Sequence, residues 1–231
     1  MTDRLEPIGD DIWLAEGPSV RYFGLTLTTR STVVRLAGGG LWVHSPIALD
    51  DALAREIEAL GEVRELIAPN AQHHLHLGAW MARYPAARAH AAPGLRPKRP
   101  DLAFASDLGT VADAAWAGEI AQTVFPAKPD EVLFFHARSS TAILTDLIIN
   151  IRLELQSPLA SVIARLDGIA WPRGGVSRLY RMSVRDEGRA RAAAAQLLGW
   201  RPAQAVIAHG EWFRRDATEE LARRLGRLAA P

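Results

Sequence analysis

Three of the chain's seven histidines fall within four positions of the stretch NAQHHLHLGAW, Asn70 to Trp80. Neutral imidazole is a common ligand for transition metals, and histidine changes charge near neutral pH. Two further residues suit the same chemistry. Asp146 ends the apolar run TAILTD, where an ionised carboxylate needs a metal, another cation or several N–H donors beside it. His209, in VIAHG, ends a second apolar run and precedes a glycine free to take a positive φ. A catalytic zinc takes three protein ligands and keeps one position open, so a His, Asp, His set is enough to activate a water. The expected metal set is His74 or His76 with Asp146 and His209. Each also has a plain structural use: loop histidines bond nearby carbonyls, and an aspartate caps a turn.

Other residues are weaker candidates. His136, in the strand before the one carrying Asp146, faces the same pocket if the hairpin register permits. His73 joins the cluster as a substrate or supporting residue. Trp80 and Trp212 can wall a pocket over an apolar substrate, although most of the seven tryptophans suit core packing. His90 receives no functional role. No G-x-S-x-G elbow, Walker loop or G-x-G-x-x-G occurs, and GGG at 38–40 reads as a hairpin turn.

Positioning these groups requires strands that end in loops. DIWLAEG, TVVRL and LWVHSP read as strands separated by glycine turns. Leu53, Ile57 and Leu60 then recur at i, i+4 and i+7, with Asp50 as cap and Gly61 as stop. VRELIAPN is a buried strand that delivers Asn70 at its tip. GEIAQTVFP, EVLFFHA and TAILTD resume the β pattern, the last two joined by RSS as a hairpin. A helical block comes next, about 159–199. AQAVIAHGEWF is strand and loop, and DATEELARRLGRL closes as a helix with a capping-box spacing at Asp216 and Glu219. Two β-rich parts, each followed by helices, predict two sheets packed face to face with helices outside. Residues 1–158 and 200–231 are expected to form that sandwich within a single domain, with 159–199 as a helical addition.

Composition narrows the classes. At 231 residues and 48% hydrophobic, the chain can bury a full core. There is no cysteine, which removes disulfides, thiolate zinc sites and a cysteine nucleophile. All but two of the 27 basic residues are arginine, scattered among alanines with a net charge of only +1, which argues against a nucleic-acid footprint and fits a GC-rich bacterial genome. No run of 18 apolar residues occurs, and the opening MTDRLEPIGDDIW is too acidic for a signal peptide, so a cytoplasmic protein without membrane or nucleic-acid partners is expected.

Strand, glycine turn, strand, helix, strand, His-rich loop, then ILTD and IAHG together resemble the metallo-β-lactamase fold over nearly the whole chain. PNAQHHLHLGAW, KPDEVLFFHARSSTAILTD and AHGEWF resemble one uncharacterised branch of it, domain of unknown function 4336. The resemblance implies a four-layer αββα sandwich with a metal site along one edge. That superfamily's first motif, His-x-His-x-Asp-His-x-Gly, is degenerate here. Registered from the strand end, Asn70 and Gln72 replace its first two histidines; registered from Gly78, His76 and His73 stand in histidine places. Both registers lack the motif's aspartate. Asp146 falls at the metal-bridging aspartate and His209 at the last histidine, whereas the middle histidine is replaced by Ala127 or Lys128. Lys128 is then expected to supply cationic charge beside Asp146 and to act with Asp146 and His209 in catalysis. His44 ends LWVH, where the fold often places a supporting aspartate. The implied function is a hydrolase-like protein with at most one zinc or other divalent transition metal, cleaving an ester, thioester, amide or phosphoester of a small molecule. The alternative is a metal-free module on the same fold that binds or senses a small anionic ligand.

Overall fold

The computed structural model describes residues 4–229 as two sheets between layers of helices. β1 (Leu5–Gly9), β2 (Ile12–Tyr22), β3 (Leu25–Arg35) and β4 (Gly40–His44) form an antiparallel meander. α1 (Asp51–Leu60) crosses over to β5 (Glu62–Ala68), which pairs parallel with β4. α2 (Leu77–Arg83), β6 (Arg88–Ala91), α3 (Leu95–Lys98) and β7 (Ser106–Asp107) complete a seven-stranded sheet in sequence order. The second sheet holds β8 (Ile120–Phe125), β9 (Glu131–His136) and β10 (Thr141–Ile143) as an antiparallel meander, with β11 (Gln204–Val206) parallel to β10. α4 (Pro158–Asp167), α5 (Arg178–Met182), α6 (Glu187–Gly199) and α7 (Ala217–Leu225) belong to the second half.

Side-chain alternation sorts the core into three layers. Along β9, Val132 and Phe134 face the first sheet with Trp42, Ile67 and Trp116, whereas Leu133 faces outward. Trp42 and Phe134 meet edge to face at 5.1 Å. Outside the first sheet, Leu53 and Ile57 of α1 and Trp80 of α2 cover Val43 and Leu66. Outside the second, Ala190, Ala193, Ala194 and Leu197 of α6 pack with Leu221 and Leu225 of α7 over Leu133 and Ala205. Each large apolar side chain so buried contributes about 1.5–3 kcal/mol, so the layers and not single contacts set the architecture.

The local signals work as expected at α1, where the Asp50 side chain accepts from the Leu53 N–H at 2.9 Å and Gly61 ends the helix. α7 differs. Asp216 has φ +52°, and its side chain makes no capping bond. A side chain that caps a helix sits on extended backbone, and the left-handed turn here carries the carboxylate away. The 159–199 stretch divides: α6 forms an outer layer of the sandwich, while Ala164 and Ile169 join a small cluster with Leu27 and Ile151 at the edge. Among the described residues, no helix is long and apolar enough to cross a membrane.

Candidate metal centre

Three chain segments meet at one edge of the sandwich. β5 runs on into Pro69 and Asn70, where Asn70 bridges to Glu131 at the start of β9 and Val132 donates to the Pro69 carbonyl at 2.8 Å. Asn70 then organises the loop beyond it. Its side-chain oxygen accepts from the N–H groups of Gln72 (2.7 Å) and His73 (2.9 Å), while its amide nitrogen donates to Asp146 Oδ2 (2.7 Å) and Thr145 Oγ1 (3.0 Å). All its strong hydrogen-bonding groups are engaged, and one side chain thereby orients both the histidine loop and the aspartate.

Asp146 follows β10 in a turn gripped from below by Glu131. That buried carboxylate accepts from the N–H groups of Thr145 (2.6 Å), Asp146 (2.9 Å) and Leu147 (2.7 Å). Burial and the nearby Asp146 charge push Glu131 up, to about 7, against the N–H groups that favour its ionised form. Tyr180, from α5, places its hydroxyl 3.4 Å from the same carboxylate and is itself raised by burial and by Glu131. The third segment is the turn after β11. His209 Nδ1 donates to the Thr28 carbonyl at 2.7 Å, the Gly210 N–H to Thr28 Oγ1 at 2.8 Å, and buried Arg30 donates to the carbonyls of Ile207 and Gly210. Gly210 is required there: φ is +91°, and a Cβ would stand 2.0 Å from the Asn150 carbonyl oxygen.

These constraints bring His73, Asp146 and His209 together. His73 Nε2 and His209 Nε2 stand 3.3 and 3.2 Å from Asp146 Oδ1, and all three ligand atoms lie within 4.8 Å of one another. Ligands about 2.0–2.1 Å from a tetrahedral ion are spaced roughly 3.3 Å apart, so the set fits one ion. Both rings are held from behind. His209 Nδ1 meets the Thr28 carbonyl and His73 Nδ1 meets Ser45 Oγ at 2.7 Å, an arrangement that leaves each Nε2 lone pair for the site. Ser45 has φ +53°, a left-handed turn at the end of β4 that presents its hydroxyl. Burial opposes ionisation of Asp146, but the imidazoles outweigh it and hold the carboxyl well below its usual range. Burial likewise lowers His209, yet its bond and charge interaction with Asp146 leave it raised overall.

The expected ligands His74 and His76 lie outside this group. Asn70 fixes the loop so that His73 turns inward, whereas His74 Nδ1 accepts from Arg99 at 3.0 Å and His76 precedes the first turn of α2. Lys128 is exposed, and among the described residues its ammonium makes no hydrogen bond or ion pair, so it does not replace a cation beside Asp146. The inward position of that turn belongs to Glu131. His136 is buried at the other end of β9, about 17 Å of strand from Glu131, with Nδ1 against Ser139 Oγ at 2.7 Å. Register carries it away from the pocket. His44 is buried close enough for His73 to lower its pKa further, after burial, which is the larger effect; its ring stacks on Trp42. Trp80 lies outside the first sheet, where its Nε1–H donates to the Ile47 carbonyl at 2.7 Å, and Trp212 packs under Arg214. Neither walls the site.

A cleft of about 410 Å3 opens over His73 and His209, and His74 and His76 line it as well. Val20, Tyr22, Leu27, Ile47 and Leu75 give it apolar walls, and Arg21 and Lys98 stand at its rim. Glu131, Ser45, Thr28 and Tyr180 were not legible as site residues. Glu131 sits between KPD and VLFF like any turn acid, and only burial separates it from Asp130.

Residues 10–96 match the model of a domain of unknown function, DUF4336. No curated protein matches the chain. Among solved structures, DIM-1 metallo-β-lactamase exposed to ceftazidime superposes with a TM-score of 0.64 over 94% of this chain and 93% of its own, at 14% identity. The fold is that of the metallo-β-lactamases. FIM-1 metallo-β-lactamase from Pseudomonas aeruginosa, in its mono-zinc form, shares it at TM-score 0.62, 15% identity and 98% and 96% coverage. So does the metal-soaked Flv1 flavodiiron core from Synechocystis sp. PCC6803, at TM-score 0.65, 12% identity, 97% of this chain and 60% of that one. On this fold the His73, Asp146, His209 set lies where strand-end loops of both sheets converge.

Proposed function

We propose that the protein is a mononuclear metal-dependent hydrolase of a small molecule, with His73, Asp146 and His209 as the protein ligands. The observation that carries this reading is the spacing of the three ligand atoms together with the Nδ1 partners that leave both Nε2 atoms available. A divalent ion there, zinc being the best match to two imidazoles and a carboxylate, supplies Lewis acidity and an activated water. The chain's own groups do the rest. Asn70 holds one oxygen of Asp146 so that the other faces the histidines; Glu131 fixes the turn that carries it. The apolar walls suit a substrate body of modest size, and Arg21 at the rim suits an anionic end. Among the described residues His73, Asp146 and His209 are the one group of three or more ligating side chains that could hold a metal, which suits a single ion.

A second reading, metal-free binding of a small anion in a cytoplasmic sensor, is favoured by one observation: Asp146 already pairs with both imidazoles and Asn70. Zinc, manganese and iron titrations of untagged protein separate the two. One equivalent taken up by the wild type and none by Asp146→Ala supports the hydrolase. Uptake of none of these metals, with retained binding of small carboxylates in the cleft, overturns it. A panel of esters, thioesters, amides and phosphoesters then assigns the bond cleaved.

A further inference from the structure

A second cavity lies away from the metal centre, between the 167–181 segment and the C-terminal helix. Its volume is about 940 Å3, and six arginines line it, Arg173, Arg178, Arg181, Arg223, Arg224 and Arg227, against only Asp167 and Glu220. The acids are engaged. Glu220 pairs with Arg223 and Arg224 along α7, and Asp167 accepts from the Leu179 N–H at 3.3 Å. Among the described residues, Arg173, Arg178, Arg181 and Arg227 make no ion pair. Like charges around one concavity repel, and although five of the six arginines are exposed, their summed field favours an anion between them.

The wall is built, not merely basic. Arg224 is held over the Phe213 ring at 4.6 Å, donates to the Pro172 carbonyl at 2.8 Å and leaves its buried Nε–H without a partner. Guanidinium groups bind phosphate through two parallel hydrogen bonds, and several of them match a chain of phosphates better than a single one. The lining contains no aromatic side chain, so a nucleobase finds no stacking partner.

We infer that this arginine-lined cavity is a second binding site, separate from the metal centre, for a ligand carrying several phosphate groups, recognised through the phosphates alone. The inference does not depend on the hydrolase reading. Those phosphates can belong to a free polyphosphate or to lipid headgroups.

Calorimetry of the full chain with inorganic triphosphate, inorganic phosphate and ATP tests it, with flotation on phosphatidylglycerol and phosphatidylcholine vesicles as the second arm. Triphosphate is expected to bind at least about tenfold tighter than phosphate and as tightly as ATP, with affinity falling as salt rises. The exposed triple variant Arg173→Ala, Arg178→Ala, Arg181→Ala should weaken it about tenfold or more and leave the melting temperature of the ligand-free protein unchanged, which shows that the fold survives. Removing three arginines elsewhere, Arg55→Ala, Arg64→Ala and Arg191→Ala, should change it less than about twofold, since screening limits distant charges. Arginine-dependent flotation on phosphatidylglycerol without triphosphate binding assigns the same site to headgroups. Equal weakening by both triple variants, or no binding in either arm, overturns the proposal.

Discussion

Two buried histidine–carboxylate arrangements stand in this molecule, and only one of them is open. His73 and His209 flank Asp146 beneath a cleft. On the first sheet, His90 Nε2 lies 2.6 Å from Glu65 and its Nδ1 2.7 Å from Ser106 Oγ, with Arg88 completing the set at 2.8 Å from Glu65. By composition the second group is a serine–histidine–glutamate relay. In the fold it is a cross-strand ladder of β5, β6 and β7, sealed by the edge of Trp116 at 4.9 Å, with His90 0% and Glu65 4% exposed. Residue types alone do not separate a reactive centre from a structural clasp. The difference is where the strands end: the first group sits on three strand tips beside solvent, the second along strand interiors.

The contrast can be broken most directly at Asp146. Asp146→Ala should reduce zinc affinity by at least about 100-fold, because it removes the anionic ligand, and should also destabilise the metal-free protein by leaving His209 and Asn70 without their buried partner. Glu65→Ala should cost about 3 kcal/mol in denaturant unfolding by stripping His90 of its buried partner, with zinc affinity and stoichiometry unchanged. Loss of zinc uptake in Glu65→Ala would join the two groups functionally and end the comparison.

The pH dependence sharpens it. Glu131 is raised to about 7 from 4.5, and a raised acid contributes stability that is complete below 4.5 and is lost as pH climbs to about 7. His209 is raised above 6.5, so its contribution is present below 6.5 and is lost as pH rises through its folded value. Asp146 is depressed, and its contribution disappears only as pH falls below 3.8. Below pH 6.5 the lowered His44, His74, His76 and His136 oppose this trend, so the metal-free protein should melt at progressively lower temperature only from about pH 6.5 to pH 8, whereas the increment from saturating zinc should grow over that range as His209 gives up its proton. A flat melting profile would show that the pair does not titrate as its surroundings dictate.

Smaller effects are expected at the supporting positions. Asn70→Ala should weaken zinc about tenfold through misplacement of His73 and Asp146, with Asn70→Asp retaining the loop bonds but adding charge against Asp146. Lys128→Ala should change neither zinc affinity nor stability by more than about 0.5 kcal/mol, since its side chain is solvent-exposed.

Much of the fold was legible because it depends on local rules. Period-two apolar runs, the Asp50 cap, the Gly61 stop and the turn residues act over a few positions, so β4, α1, β5 and the β9–β10 hairpin can be read from residue order. Asp146 and His209 were also visible, as polar residues closing apolar runs. His73 was not distinguishable from His74 and His76, because neighbouring loop residues differ only in direction. That direction is imposed by Asn70, whose carbonyl oxygen holds the His73 N–H while its amide reaches a residue 76 positions away.

The sequence by itself therefore determined the layers, the strand ends and the kinds of ligand available, since burial periodicity and residue chemistry are local. Tertiary structure alone decided which imidazole meets Asp146, that Glu131 supports the turn, that Lys128 faces water and that six arginines surround one cavity. Each of those depends on groups brought together from distant parts of the chain, and hydrogen-bond direction and burial exist only once the two sheets have packed.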